Sequence, residues 1–193
     1  MPRINSETFY KNAIKKHGIS AQGVCWISSA HQYIRFEVLS KLLPQKLCNE
    51  RLCDAGCGFG DFYLYLQMSQ NLPKEYIGID SLTQMCDITK ERTKQQTLHT
   101  DITKELLPVC DWSVCSGALN ILTSYETTAF IQNCYKSVTK GFIFNVLYGG
   151  KTSSTYNYLS KTDIQMLAKT LGVREVRFEE EYLDKDITVG FYK

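Results

Sequence analysis

The chain has 193 residues, of which 44% are apolar, and a formal net charge of +2. This length and composition predict one domain, residues 1–193, with enough apolar side chains to fill a core. The small net charge disfavours a nucleic-acid partner, no apolar run reaches the roughly 18 residues that a membrane-spanning helix needs, and residues 1–5 lack the apolar segment of a signal peptide. The sequence therefore predicts a cytoplasmic protein without a membrane contact.

The first fifty residues precede the first strand-like run and differ from it in pattern. Residues 6–17 have helical spacing, and a second helix is expected to begin at Ser29, where Ser29 and Gln32 fit a capping box. Gly23-Val24-Cys25-Trp26 lies between the two. We therefore expect residues 1–50 to form a helical cap segment ahead of a core that spans residues 51–193.

Residues 51–60, R-L-C-D-A-G-C-G-F-G, are the most informative stretch of the chain. A short apolar strand leads to Asp54, and three glycines follow at alternate positions, Gly56, Gly58 and Gly60. Glycine takes positive φ and has no Cβ, so the backbone can turn sharply and approach a ligand closely. A second acidic residue, Asp80, ends the next strand-like run, where the acceptor for a nucleoside ribose is expected.

Strand-like and helical segments alternate along the rest of the chain. The strand-like runs lie at 51–53, 76–79, 97–99, 112–115, 141–147, 173–178 and 187–192, and helical spacing occurs at 61–70, 81–94, 125–137 and 160–171. Ser160 and Asp163 are placed to cap the last helix, and Gly172 to end it. This alternation is typical of an α/β three-layer sandwich, a mostly parallel seven-stranded sheet with helices on both faces. The connection at residues 182–186 is too short for a parallel crossover and predicts an antiparallel last strand.

The glycine spacing separates two classes of cofactor. The dinucleotide fingerprint is G-x-G-x-x-G, whereas this chain has D-x-G-x-G-x-G. This turn, with Asp80 after it, resembles motifs I and II of the class I S-adenosylmethionine-dependent methyltransferases, and the resemblance covers nearly the whole chain. It implies a Rossmann-like sheet, S-adenosyl-L-methionine as cofactor and S-adenosyl-L-homocysteine as product. It also implies that Gly56 and Gly58 pass under the methionine moiety and that Asp80 holds the ribose hydroxyls.

Ligands of such sheets bind beyond the carboxyl ends of the parallel strands, and the residues there form the predicted cofactor site. The resemblance places Asp101 against the adenine amino group, beside the backbone of Ile102 and with Leu82 on the ring face; the alternative is that Asp101 only caps a helix. The predicted set is Asp54, Gly56, Cys57, Gly58, Phe59, Asp80, Ser81, Asp101, Ile102, Ser116 and Gly117.

The segment around Trp26 resembles the one ahead of the sheet in a group of small bacterial class I methyltransferases without assigned substrates. The resulting hypothesis is that Trp26 closes the cofactor pocket and that Arg35 pairs with the methionine carboxylate. The alternative makes Trp26 a core residue and Arg35 a surface charge.

Four residues are candidates for contact with the methyl acceptor, although no catalytic residue is predicted. Asn120 follows the fourth strand, where it either positions the acceptor or is an ordinary turn residue. Tyr148 and Tyr156 either stack on the acceptor or attract the sulfonium, or they belong to a surface loop. His31 is the histidine expected beside Trp26, and none of the three histidines lies in an acid/base motif.

Two motifs of nucleic-acid base methylation are missing from the chain, the element [D/N]-P-P-[Y/F] and the Pro-Cys nucleophile. We therefore expect methyl transfer to a small molecule. The alternatives are a methyltransferase acting on RNA or protein and an S-adenosylmethionine-binding protein without transferase activity. The sequence does not indicate an oligomeric state.

The eight cysteines form no C-x-x-C pair, and we expect them to be reduced and mostly buried. Cys53 and Cys57 begin the C-x-x-x-C-x-x-C pattern with which radical S-adenosylmethionine enzymes hold an iron–sulfur cluster, but the third position is Gly60. No metal site is predicted.

Overall fold

A computed structural model describes residues 4–150 and 153–193, and along these residues helices and strands alternate as predicted. Residues 1–3, on which the expected lack of a signal peptide partly rests, lie outside the described residues. The helices are α1 (Ser6–His17), α2 (Ser29–Leu42), α3 (Asp61–Met68), α4 (Thr83–Thr93), α5 (Ser124–Lys136) and α6 (Lys161–Leu171), with 3-10 turns at Gln22–Val24 and Ala118–Ile121. The strands are β1 (Arg51–Ala55), β2 (Glu75–Asp80), β3 (Gln96–His99), β4 (Cys110–Ser116), β5 (Val138–Tyr148), β6 (Tyr158–Leu159), β7 (Glu175–Glu179) and β8 (Asp186–Tyr192).

The strands form one sheet in the order β3-β2-β1-β4-β5-β8-β7. The pairs from β3 to β5 are parallel, whereas β8 runs antiparallel to both β5 and β7. The predicted α/β sandwich with an antiparallel last strand is therefore confirmed. The two-residue strand β6, which pairs with the end of β5, was not predicted because so short a run has no recognisable alternation.

Helices cover both faces of the sheet because successive strand residues point to opposite sides. On one face, Phe36 of α2 and Phe62 of α3 pack with Leu52 of β1. On the other face, Phe130 of α5 packs with Phe144 of β5 in a second apolar cluster that also includes residues of α6. Burial of these two clusters fixes the sheet, and thereby the strand ends that carry the polar residues described below.

The caps of two helices test the sequence predictions directly. Ser160 and Asp163 form the predicted capping box of α6, and Gly172 ends this helix with φ of 67°. The predicted box at Ser29 and Gln32 is wrong, because Ser28 is the N-cap and its hydroxyl accepts a hydrogen bond from the amide of His31.

The expectation that every cysteine is reduced is wrong for one pair. Cys53 of β1 and Cys110 of β4 are joined by a disulfide, and their Cα atoms are 6.3 Å apart, within the range of native disulfides. The remaining cysteines are free; Cys57, Cys86, Cys115 and Cys134 are buried, and Cys25 and Cys48 are exposed.

Candidate functional site

A cavity of about 730 Å³ opens at the carboxyl ends of the parallel strands, and residues of the N-terminal segment form part of its wall. Its volume is typical of sites for small molecules and cofactors. The structure brings together every predicted cofactor residue except Arg35. The cavity is lined by Trp26, Asp54, Gly56, Cys57, Gly58, Phe59, Asp80, Ser81, Asp101, Ile102, Ser116 and Gly117.

The glycine turn after β1 forms the floor of the cavity. Gly56, Gly58 and Gly60 have φ values of 80°, 55° and 75°, a region that side chains other than glycine rarely adopt. A Cβ at Gly56 would lie 2.5 Å from the Cβ of Ala118, so this position has no room for a side chain. The turn therefore depends on glycine both for its backbone conformation and for its close contact with the segment after β4.

Asp80, at the end of β2, is fixed against this turn. Its two carboxylate oxygens accept hydrogen bonds from the amides of Gly58 and Leu82, at 3.1 and 3.0 Å. Burial raises the pKa of Asp80 to about 6, although the backbone amides of Leu82, Gly58 and Ser81 favour the charged form. Each oxygen retains lone pairs, so the carboxylate can accept further hydrogen bonds from a ligand.

Asp54 lies behind the same turn and is buried. Burial raises the pKa of Asp54 to about 7, against the hydrogen bond from the Tyr76 hydroxyl, which favours the carboxylate. The charges of Asp80 and Asp61 raise it further. The cavity therefore has two carboxyl groups that change protonation near neutral pH.

Asp101 lies after β3, at another part of the cavity wall, and it is engaged on its own loop. Its carboxylate accepts from the Thr103 amide at 3.1 Å and the Lys104 ammonium at 2.6 Å. Burial raises the pKa of Asp101, but the bonds from Lys104 and Thr103 outweigh this effect and leave it below the usual value. Asp101 therefore stabilises the turn that follows it and lines the cavity, whereas the alternative of a helix cap is wrong, because no helix begins directly after Asp101 among the described residues.

The segment after β4 closes the opposite side of the cavity. The Gly117 amide donates to Asn145 Oδ1 at 3.0 Å, and Gly117 has φ of 83°. A Cβ at Gly117 would lie 2.4 Å from Cη2 of Trp26, so the indole packs directly on this glycine. Trp26 therefore lies at the wall of the cavity and outside the buried core, and its closure over a cofactor stays a prediction.

Of the four predicted acceptor residues, the structure brings two to the cavity. Asn120 lines it while its side-chain oxygen accepts from the Leu147 amide at 3.2 Å, and Tyr156 lines it with an exposed fraction of 39%. Tyr148 and His31 are not among the described lining residues. Tyr148 packs on the apolar cluster of α5 and α6, because it shares the face of β5 that carries Phe144 and Val146.

Comparisons with known proteins indicate the family of the chain. The model of the methyltransferase domain family matches residues 52–141, which include the glycine turn, Asp80, Asp101 and Gly117. The chain contains a class I S-adenosylmethionine-dependent methyltransferase domain. No curated protein sequence matches the chain significantly.

Solved structures of methyltransferases resemble this methyltransferase in fold. Magnesium protoporphyrin IX methyltransferase from Synechocystis PCC 6803, with bound S-adenosylhomocysteine, has 14% sequence identity and a TM-score of 0.71, over 98% of this chain and 95% of that one. An S-adenosylmethionine-dependent methyltransferase from Mesorhizobium loti has 14% identity and a TM-score of 0.64, over 83% and 98%. Human N-acetylserotonin methyltransferase, in complex with S-adenosylmethionine, has 14% identity and a TM-score of 0.62, over 97% and 66%. At these identities the comparison shows a shared fold.

Arg35 has a different place in the methyltransferase from the one predicted. Its guanidinium forms a buried ion pair with Asp186 of β8, and its third nitrogen donates to the His31 carbonyl at 3.1 Å. This engagement replaces the predicted pairing with a methionine carboxylate, since the charge already has a partner away from the cavity.

Sequence reasoning missed the contribution of α1 to the cavity. Phe9 and Tyr10 line it, and burial raises the pKa of Tyr10 well above its usual value, so the phenol is a neutral hydrogen-bond donor. α1 contains no fully buried residue. The signal that could have identified them is in the sequence, since Phe9 and Tyr10 are adjacent aromatic residues in a predicted helix that otherwise has little apolar surface to bury.

No group of three or more His, Cys, Asp or Glu side chains in residues 4–150 and 153–193 is arranged to hold a metal ion. Within the same ranges, no helix combines the length and the apolar character needed to cross a bilayer.

Proposed function

We propose that this methyltransferase binds S-adenosylmethionine in the cavity at the strand ends and transfers its methyl group to a small-molecule acceptor. The observation that carries the proposal is the Asp80 carboxylate, which two backbone amides hold at the cavity beside the glycine turn. A fixed carboxylate with free lone pairs fits the two hydroxyls of a ribose.

The residues present fit this cofactor. The turn approaches Ala118 so closely at Gly56 that a Cβ there would overlap the Ala118 side chain. Gly58 lies in the same turn, and the methionine moiety would pass over both glycines. We assign Asp101, Ile102 and Leu82 to the adenine, with Ile102 and Leu82 supplying apolar contact. Cys57, Phe59, Ser81, Ser116, Gly117, Asp54 and Trp26 complete the proposed cofactor site.

S-adenosylmethionine, when bound, supplies an electrophilic methyl group on a positively charged sulfur. The residues of this chain act by alignment, which converts an encounter of two molecules into a step within one complex. Trp26 and Gly117 restrict the space beside the cofactor, and the described residues 4–50 serve as its cap. Asn120 and Tyr156 offer an amide and a phenol to orient the acceptor, and no side chain is assigned as general base.

The side chains around the cavity support a small-molecule acceptor over RNA. Seven acidic side chains line the cavity. Among the described residues, no Lys or Arg lines it. The acids are Glu7, Asp54, Asp61, Asp80, Asp101, Glu105 and Glu126. RNA brings phosphates that need cationic partners, which this wall does not offer. Two of the similar structures are named for methylation of small molecules, magnesium protoporphyrin IX and N-acetylserotonin. A cytoplasmic location stays a prediction.

The test has a binding stage and a transfer stage. Calorimetric titration should show binding of S-adenosylmethionine and S-adenosylhomocysteine to the wild-type protein and no binding of NAD. Methyl-labelled S-adenosylmethionine is then incubated with the protein and with three fractions of a cell extract, the low-molecular-mass filtrate, the RNA and the protein.

We expect label in the low-molecular-mass fraction and none with the Asp80→Ala variant. Label in RNA or protein would overturn the small-molecule acceptor. Binding without any transfer would favour a protein that only binds the cofactor, and failure to bind either sulfur ligand would overturn the proposed function altogether.

A further inference from the structure

The indole of Trp26 lies between a charged group and a glycine. The guanidinium carbon of Arg35 is 4.4 Å from the centre of the ring. At Gly117, an added Cβ would lie 2.4 and 2.5 Å from Cη2 and Cζ2 of the indole. The ring is therefore in contact with Arg35 and with the backbone of the cavity wall.

The hydrogen bonds that fix Arg35 are made to residues that do not line the cavity. Its Nε donates to Asp186 Oδ1 at 3.0 Å, its Nη2 donates to the other carboxylate oxygen, and its Nη1 donates to the His31 carbonyl at 3.1 Å. Both members of the pair are buried, with exposed fractions of 6% for Arg35 and 4% for Asp186. A planar guanidinium held by both carboxylate oxygens has a defined orientation, so the face that it presents to Trp26 is defined as well.

Both ends of this arrangement are attached to the sheet. Asp186 is the first residue of β8, and Gly117 is tied through its amide to Asn145 of β5, whose side chain is fully buried. The contacts thus lead from β8 through Asp186, Arg35 and Trp26 to Gly117. Trp26 belongs to a segment outside the sheet. Without these contacts, few interactions would hold its indole in one position.

We propose that Arg35, fixed by Asp186, is a positioning residue that holds Trp26 against Gly117 as a wall of the cofactor and acceptor cavity. The inference rests on the proposed function for what the cavity binds, but the position of the ring is a property of the ligand-free protein. Arg35 does not touch the cofactor in this scheme; it acts through Trp26.

The alternative is that the Arg35–Asp186 pair only attaches α2 to the sheet. That role would affect stability and leave the environment of Trp26 and the affinity for ligand unchanged. The experiment therefore needs a variant that folds without the pair. Arg35→Met combined with Asp186→Leu removes both buried charges together, and such exchanges of buried pairs for apolar residues are often neutral or stabilising.

The measurement uses a Trp112→Phe background, in which Trp26 is the only tryptophan of the chain. Acrylamide quenching of Trp26 fluorescence in the ligand-free protein should increase at least twofold in the double variant and, to a smaller extent, in Arg35→Lys. Calorimetric titration with S-adenosylhomocysteine should show affinity about tenfold lower in the double variant, which corresponds to about 1.4 kcal/mol.

Arg51→Lys is the matched control, because Arg51 forms a bidentate pair with Glu75 on the surface and does not line the cavity. It should change neither readout. A double variant that folds and shows unchanged quenching and unchanged affinity would overturn the inference. Failure of the wild-type protein to bind S-adenosylhomocysteine, with quenching in the background variant still dependent on Arg35, would instead count against the proposed function and leave the positioning role supported.

Discussion

The hydroxyl of Tyr76 donates a hydrogen bond to the carboxylate of Asp54, and both side chains are buried between β1, β2 and the glycine turn. Burial raises the pKa of Asp54 to about 7. In the unfolded chain the same group ionises near its ordinary value of about 4. Between these two values the folded protein holds a proton on Asp54 that the unfolded chain has lost.

This difference makes stability depend on pH. Because the folded state binds more protons, the free energy of unfolding falls as the pH rises from about 4 to about 7, and the effect ends above the pKa of the folded state. Asp54→Asn should flatten the dependence. Urea unfolding of the ligand-free protein at pH 5, 6, 7 and 8 measures it, and the interval above pH 6 excludes most of the similar contribution of Asp80, whose pKa is about 6.

Tyr76→Phe provides the control of opposite sign. It removes the hydrogen bond that favours the carboxylate, so the pKa of Asp54 should rise further and the loss of stability should extend to higher pH. An Asp54→Asn protein with the same slope as wild type between pH 6 and 8 would contradict the raised pKa.

Asp80 should make the affinity for S-adenosylhomocysteine depend on pH. A carboxylate that accepts two ribose hydroxyls must be ionised, and burial raises the pKa of Asp80 to about 6. We expect the affinity to fall about tenfold from pH 7 to pH 5. Asp80→Asn should bind about 10- to 100-fold more weakly at pH 7 and lose the dependence, because hydrogen bonds to charged groups contribute about 1.5–3 kcal/mol each.

Calorimetric titration at each pH gives these affinities. Asp87→Asn is the matched control, since Asp87 lies exposed on α4 and is not among the described residues of the cavity. If Asp80→Asn retained the wild-type affinity, the assignment of the ribose to Asp80 would be wrong.

The residues that line the cavity at the strand ends were predictable because they are close in sequence to the strands that carry them. Asp54 is the last residue but one of β1 and Asp80 is the last residue of β2, and parallel neighbours bring their ends to one edge of the sheet. The alternation of segments therefore predicted the fold, and the spacing of glycines and acids predicted which residues form the floor of the cavity.

Contacts between distant parts of the chain were not predictable from local pattern. Arg35 meets Asp186 across a separation of 151 residues, and Cys53 meets Cys110 across 57. No spacing rule relates such positions, because the fold brings them together. Tyr148 was misplaced for a different reason, since the face to which a residue at a strand end points depends on the strand register, which the sequence leaves open.

Asp101 offers a way to separate the stabilisation of a turn from a ligand contact. Asp101→Ser keeps a short side chain that can cap the following turn, but it cannot reach a ligand as the carboxylate does. We expect unchanged urea unfolding and affinity for S-adenosylhomocysteine about tenfold lower, from the loss of one hydrogen bond to a charged group. Lys104→Ala is the control, because its exposed pair with Asp101 should contribute little. Unchanged affinity in Asp101→Ser would leave Asp101 as a residue that only stabilises its turn.

Gly56→Ala should destabilise the protein for two reasons that can be separated. Its φ of 80° costs about 1–2 kcal/mol for a residue with a Cβ, and the added Cβ would lie 2.5 Å from that of Ala118. Ala118→Gly removes only the second cause. In urea unfolding, the double variant should therefore recover part of the stability lost by Gly56→Ala, so that the two substitutions are not additive. Additive losses would show that the turn and the segment after β4 are not in contact, and the cavity floor would then need a different description.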